Sequence, residues 1–245
     1  MKNQKEEIKI KTSIEGLDKM LLGGLLPGRN ILLSGPCGTG KSTIAMQFAC
    51  GALKFKEKSL YVTLEEKKEK IIEDMKKLDL DIDRAIEEKT LIILGGPIAS
   101  LNEFMEKVDA KVSHLIKEIE EVIKENKINR VVIDSINLFT MLLQTEEEKR
   151  LALAALCNTL SNLNCTTILT SETKENSMDL SRYGLEEFVV DGVIVLYLVR
   201  QGSRFAPGIV IRKMRGTNHD KEIKYYQITD KGVVVFPEET LFTNI

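Results

Sequence analysis

Five short apolar runs rich in β-branched residues punctuate the first two thirds of the chain, at 30–34, 59–64, 90–94, 130–134 and 166–170. Each is bounded by polar or turn residues and reads as a buried strand. Between them, apolar positions recur at helical spacing over 41–54, 67–78, 102–126 and 146–162. In the third stretch Val108, Val112, Leu115, Ile119, Val122 and Ile123 share one face. Strand alternating with helix predicts a mostly parallel sheet covered on both faces, because parallel neighbours need crossover connections. From residue 189 the pattern changes. Strand-like runs follow at 189–200, 208–213, 223–229 and 233–236, with Asp230, Lys231 and Gly232 at a hairpin turn. The expected fold is α/β, a central mostly parallel sheet flanked by helices and continued by an antiparallel C-terminal extension. No repeat and no Pro- or Ser-rich linker interrupts it, so one domain over 1–245 is expected: an N-terminal segment 1–28, a core 29–188 and a β extension 189–245.

Charge and composition narrow the function. The 35 basic and 37 acidic side chains leave a net charge of −2, which argues against a uniformly basic nucleic-acid-binding surface. No uncharged apolar run approaches the roughly 18 residues of a membrane span, and the opening MKNQKEEIKIK is too charged for a signal sequence. A cytoplasmic location without a membrane partner is expected. The four cysteines, Cys37, Cys50, Cys157 and Cys165, lack zinc-ligand spacing and read as reduced thiols. His114 lies in a helical run and reads as a boundary residue without a ligand role.

The strongest chemical signal is at 35–43, Gly-Pro-Cys-Gly-Thr-Gly-Lys-Ser-Thr, which satisfies G-x-x-x-x-G-K-[ST] between a strand and a helix. In such a loop the glycines let backbone N–H groups surround a phosphate, Lys41 reaches the β and γ phosphates, and the Ser42 hydroxyl ligates Mg²⁺. ATP with Mg²⁺ is the expected cofactor pair. A second carboxylate for the metal shell should end a neighbouring strand, and Asp134 ends Arg130-Val-Val-Ile-Asp134. Hydrolysis also needs a group that orients water. Glu65 and Glu66 end the strand after the loop helix, although an acid pair there could equally cap the helix beginning near Lys67. Arg212, Lys213 and Arg215 read by themselves as a solvated edge strand. Some branches of the nucleotide-binding proteins are excluded by missing parts. No ABC-type signature is present, Asn126-Lys127-Ile128-Asn129 lacks the Asp of a guanine reader, and no arginine-rich lid follows Asp134.

Further motifs then appear in order: Ser13-Ile-Glu-Gly-Leu-Asp18, Gly23-Gly-Leu-Leu-Pro-Gly28, Tyr61-Val-Thr-Leu-Glu-Glu66, Arg182-Tyr-Gly-Leu-Glu-Glu-Phe188 and Lys213-Met-Arg-Gly-Thr-Asn-His219. On these residues the chain resembles the KaiC-domain ATPases of the RecA superfamily. The resemblance covers nearly its whole length. It implies a RecA-like P-loop NTPase fold in a six-membered ring, with ATP at each subunit boundary. It makes Glu65 and Glu66 the catalytic carboxylates, Ser42 and Asp134 the Mg²⁺-associated groups, and Gly35, Pro36, Cys37, Gly38, Thr39, Gly40, Lys41, Ser42 and Thr43 the phosphate contacts. It also implies that Lys213 and Arg215 reach the neighbouring subunit's γ-phosphate. Met214, Thr217, His219, Thr229 and Asp230 match positions that contact the neighbour's nucleotide.

Departures from the family pattern bear on function. The circadian member has two such domains in tandem, so a clock role does not follow. Its autophosphorylating domain carries adjacent Ser and Thr where this chain has Glu187 and Phe188, so no autokinase activity is expected. No helix-hairpin-helix module is readable before residue 13, which argues against a full strand-exchange recombinase. The leading expectation is an ATP-hydrolysing homo-oligomer read by an unidentified protein client. Two others stand beside it: a recombinase-like accessory ring on single-stranded DNA, and a scaffold that senses ATP without hydrolysing it. The DNA reading is disfavoured because 173–184 offers Lys174, Arg182 and Tyr183 but also Glu175 and Asp179. Met141-Leu-Leu143 reads as either core or a docking patch.

Overall fold

The computed structural model describes residues 8–95, 108–175 and 179–241. The strands are β1 (Asn30–Gly35), β2 (Ser59–Thr63), β3 (Leu91–Gly95), β4 (Arg130–Asp134), β5 (Thr166–Glu172), β6 (Gly192–Gln201), β7 (Arg204–Met214), β8 (Lys224–Thr229) and β9 (Gly232–Thr240). The helices are α1 (Leu17–Met20), α2 (Lys41–Cys50), α3 (Ala52–Phe55), α4 (Lys68–Met75), α5 (Ile82–Glu87), α6 (Val108–Asn126), α7 (Ile136–Met141), α8 (Glu146–Asn162) and α9 (Glu186–Val189). Among the described residues the strands form one sheet in the order β3-β2-β4-β5-β1-β6-β7-β8-β9. The run from β3 to β6 is parallel, and β6 to β9 pair antiparallel. This is the mixed α/β architecture of the RecA-like fold.

Every residue of β1 and β2 is buried, as expected for central parallel strands covered on both faces. Alternate residues feed two separate cores. Leu33, Tyr61 and Val132 pack with Ile44 and Phe48 of α2, whereas Leu32, Val62 and Val131 pack with Ile119 and Ile123 of α6 and Leu153 and Leu160 of α8. Among the described residues no helix is long and apolar enough to cross a membrane. Of Met141-Leu-Leu143, Met141 is exposed, Leu142 half-buried and Leu143 buried, so the segment is part core and part surface.

Several boundaries differ from the periodicity reading. The helix expected over 41–54 is interrupted at Gly51, where a Cβ would lie 2.0 Å from the Ser13 hydroxyl oxygen. The strand expected from 189 begins at Gly192, after the short helix α9. The helix expected from 102 is described from Val108, and 102–107 lie outside the described residues, as do 176–178 of the segment 173–184. One core residue has the opposite character from its neighbours. Arg130 is 1% exposed, ion-paired to Glu57, donates to the carbonyls of Lys11 (2.8 Å) and Phe48 (3.2 Å), and lies over the rings of Phe48 and Phe55. Burial lowers its pKa and Glu57 opposes that, so the pairing is what keeps a charge tolerable there.

Strand direction positions the site. All parallel strands end at one edge, and the register sets Thr63 beside Asp134 and Gly35 beside Glu172. Ligands of such sheets sit outside these carboxyl ends. β7 runs the other way, so its last residue, Met214, pairs with Gly192 at the opposite edge, next to Ile31.

Candidate active site

The turn from β1 into α2 is shaped by Gly38 (φ 76°) and Gly40 (φ 82°), left-handed positions that favour glycine. At Gly40 a Cβ would also lie 2.8 Å from Ile228. The loop is pinned from both sides. Thr39 donates from its hydroxyl to the Pro36 carbonyl (2.8 Å), and the Tyr226 phenol donates to the Thr39 carbonyl (2.6 Å). The amino end of α2 has no capping side chain and no acid in its first turn, which leaves the positive end of the helix dipole open to an anion. Lys41 donates to the Gly35 (2.9 Å) and Pro36 (2.7 Å) carbonyls. Burial lowers its pKa, while Glu172, Asp134 and Glu65 pull the other way. Cys37, Lys41, Ser42, Glu65, Asp134 and Glu172 line one cavity of about 260 Å³. An anion-ready helix end, a half-buried ammonium and converging carboxylates suit a polyphosphate carried with a divalent cation.

The three carboxylates are held differently. Asp134 accepts a hydrogen bond on each oxygen, one from the Tyr61 phenol and one from the Thr170 hydroxyl. Burial, together with Asp134, pushes the Tyr61 phenol well above its ordinary pKa, so it remains a protonated donor. Glu65 accepts from the Ser135 hydroxyl and faces the cavity. Glu66 forms an ion pair with Lys70 at 3.0 Å, both side chains exposed, and borders a smaller cavity of about 100 Å³ with Ser42, Glu65 and Asp134. β2 ends at Thr63, whose hydroxyl closes a turn with the backbone of Glu66 (2.9 and 3.2 Å). Neither glutamate caps α4: its N-cap is Lys67, with no capping side chain.

The residues expected to act on a neighbour fall into two places. Lys213, Arg215, Thr217 and His219 lie at the sheet edge remote from the loop. Lys213 donates to the carbonyls of Glu187 (2.7 Å) and Val190 (2.6 Å), and burial, then Arg215, hold its ammonium below the usual lysine value. Arg215 is 3.7 Å from Asp191, whose carboxylate also takes Arg29 at 3.2 Å. The Thr217 hydroxyl accepts from Lys9 (3.0 Å). His219 Nδ1 is buried and has no partner among the described residues. Met214 is 7% exposed with its sulfur against Gly192, so its side chain belongs to the core. Thr229 and Asp230, by contrast, sit at the loop edge of this same chain. Their turn is fixed by the contact of Ile228 with Gly40 and by the Asp79 N–H donating to the Asp230 carbonyl (2.8 Å). Beside it, residues 76–84 and Asp230 border a groove of about 560 Å³.

Comparison with known proteins agrees with this geometry. The family model "ATPase: KaiC" matches residues 10–240. The chain belongs to the KaiC ATPase family. Over 231 residues it is 36% identical to "Circadian clock oscillator protein KaiC" of Synechococcus elongatus, covering 94% of this chain and 44% of that protein. The KaiC of Acaryochloris marina is 34% identical over 238 residues, covering 96% of this chain and 45% of the relative. A "UPF0273 protein" of Thermotoga maritima is 33% identical over 238 residues, covering 94% of this chain and 97% of that protein. The chain thus spans about half the length of the KaiC relatives it matches and nearly all of the Thermotoga one.

Within this KaiC domain, Glu172 is the cavity residue that the motif reading missed. It is the last residue of β5 and the foremost of the charges acting on Lys41. Like Arg130-Val-Val-Ile-Asp134, the segment Ile168-Leu-Thr-Ser-Glu172 closes a strand on an acid, but only Ile168 and Leu169 are apolar, so the signal is weaker. Tyr61 was also missed, because a tyrosine in a buried strand reads as core.

Proposed function

We propose that this KaiC-family chain binds ATP with Mg²⁺ and hydrolyses it within a ring of its own copies, six by the family resemblance, each site completed by a neighbour. The observation that carries this is the placement of Lys213 and Arg215. β1 spans six residues at about 3.3 Å each, so these groups lie roughly 20 Å from the loop of their own chain. Complementary half-sites on opposite edges of one chain are what a head-to-tail, ring-closing interface requires. Phosphate oxygens would take the loop N–H groups and the open end of α2, and Lys41 would exchange its two loop carbonyls for them. Ser42 and Asp134 would hold the Mg²⁺, which when bound neutralises charge on the β and γ phosphates. Glu65, held by Ser135, orients the attacking water and takes its proton. Lys213 and Arg215 of the next copy stabilise the charge that develops on the transferred group.

Thr229 and Asp230 serve their own chain's nucleotide in this reading, beside the groove at 76–84. Thr217 and His219, whose Nδ1 has no partner among the described residues, face the neighbour's. Hydrolysis is favoured over passive sensing because Lys41, Glu65 and Asp134 share one cavity. The nucleotide state of the ring would be what a protein client reads. The test is phosphate release from ATP by the purified chain. Lys41→Ala is expected to weaken ATP binding about tenfold or more, as for loss of a charged hydrogen bond, and to abolish release. No release by the wild type, or full release by the variant, contradicts the proposal.

A further inference from the structure

Two buried hydroxyl donors lie behind Asp134, one of the groups expected to hold the metal. Tyr61 and Thr170 are both fully buried, on the strands either side of β4. Thr63 pairs with Asp134, and Tyr61, two residues earlier on the same face, reaches Asp134 diagonally. Tyr61 donates to Asp134 Oδ2 and Thr170 to Oδ1. Both carboxylate oxygens of Asp134 are therefore held from the buried side by hydroxyl donors on the flanking strands.

We infer that Tyr61 is a positioning residue for the divalent cation, setting the orientation of Asp134 before the metal arrives. Asp134 keeps its remaining lone pairs on the cavity side, because its buried side is taken by two donors. Without the phenol, Asp134 keeps only the Thr170 donor and its carboxylate is free to turn from the orientation the cation needs. Groups behind metal ligands commonly govern affinity in this way, at roughly tenfold to a hundredfold per group. The inference rests on the proposed Mg-nucleotide reading, and goes beyond it by assigning a role to a motif residue that the resemblance left without one.

The test is Mn²⁺ binding to the ADP complex of the full chain, followed by the electron paramagnetic resonance of free Mn²⁺, with ADP affinity in EDTA measured in parallel. Tyr61→Phe preserves shape in the core. It is expected to raise the Mn²⁺ concentration for half-saturation about tenfold while ADP affinity in EDTA stays within about twofold. Thr170→Val should shift the Mn²⁺ midpoint in the same direction, and Thr170→Ser should restore it. An unchanged Mn²⁺ midpoint in Tyr61→Phe overturns the inference while leaving the nucleotide reading intact. Equal loss of metal-free ADP binding also overturns it, since the phenol would then be supporting the loop as a whole. No ADP binding by the wild type overturns both.

Discussion

Subunits carrying Arg215→Ala should release essentially no phosphate from ATP alone, and should regain turnover when mixed with equally inactive Glu65→Gln subunits. Recovery is expected because the two defects lie in different half-sites. An Arg215→Ala subunit keeps its loop, Lys41, Asp134 and Glu65 at one sheet edge, and a Glu65→Gln subunit keeps Arg215 at the other. In a randomly mixed ring roughly a quarter of the interfaces join an intact loop to an intact arginine. An arginine supplied in trans to a transferring phosphoryl group is worth about 10³–10⁵ in rate, so the loss in the single variant is far outside measurement error. ATP binding should survive, since Arg215 lies roughly 20 Å from its own loop. Assembly must also free the cationic pair, because Lys213 is spent on two carbonyls and Arg215 sits beside Asp191. Unchanged turnover in Arg215→Ala would remove the arginine from the reaction. Loss without recovery on mixing would show that its role lies within its own chain.

The two adjacent glutamates should prove unequal. Glu65→Gln is expected to lower turnover by about 10²–10⁴, the usual worth of a positioned general base, while Glu66→Gln should change it only a few-fold. Glu65 faces the phosphate cavity and is fixed by the Ser135 hydroxyl. Glu66 pairs with Lys70 at the surface and, unlike Glu65, does not line the cavity that holds Lys41, and such surface pairs contribute little. Single-turnover phosphate release separates the two from effects on nucleotide binding. Equal losses would mean that the turn after Thr63 rearranges when nucleotide binds, and a larger loss in Glu66→Gln would reverse the assignment.

What could be read from the residues alone follows their physics. Buried parallel strands announce themselves as continuous apolar runs, and β1, β2, β4 and β5 were located to within a residue or two on that signal. The phosphate loop and Asp134 were legible because both are strand ends with atypical chemistry. Arg130 was not legible. A charge opening a strand reads as its solvated end, and only partners distant in sequence, Glu57 and the rings of Phe48 and Phe55, make its burial tolerable. α5 and α7 are six residues each, too short for a period to establish itself. Met214, Thr217, Thr229 and Asp230 matched one family pattern, yet the chain places them differently. The Tyr226–Thr39 hydrogen bond and the Ile228–Gly40 contact fold the β8–β9 turn onto the loop of its own chain. Such long-range contacts leave no trace in local periodicity.

The most direct test of the account is phosphate release per subunit against protein concentration in Mg-ATP, with light scattering on the same samples. Turnover per subunit should climb with the fraction of chains assembled, reach its plateau with a hexamer, and vanish on dilution to monomer. A monomer that hydrolyses ATP at the full rate would contradict an active site shared between neighbours.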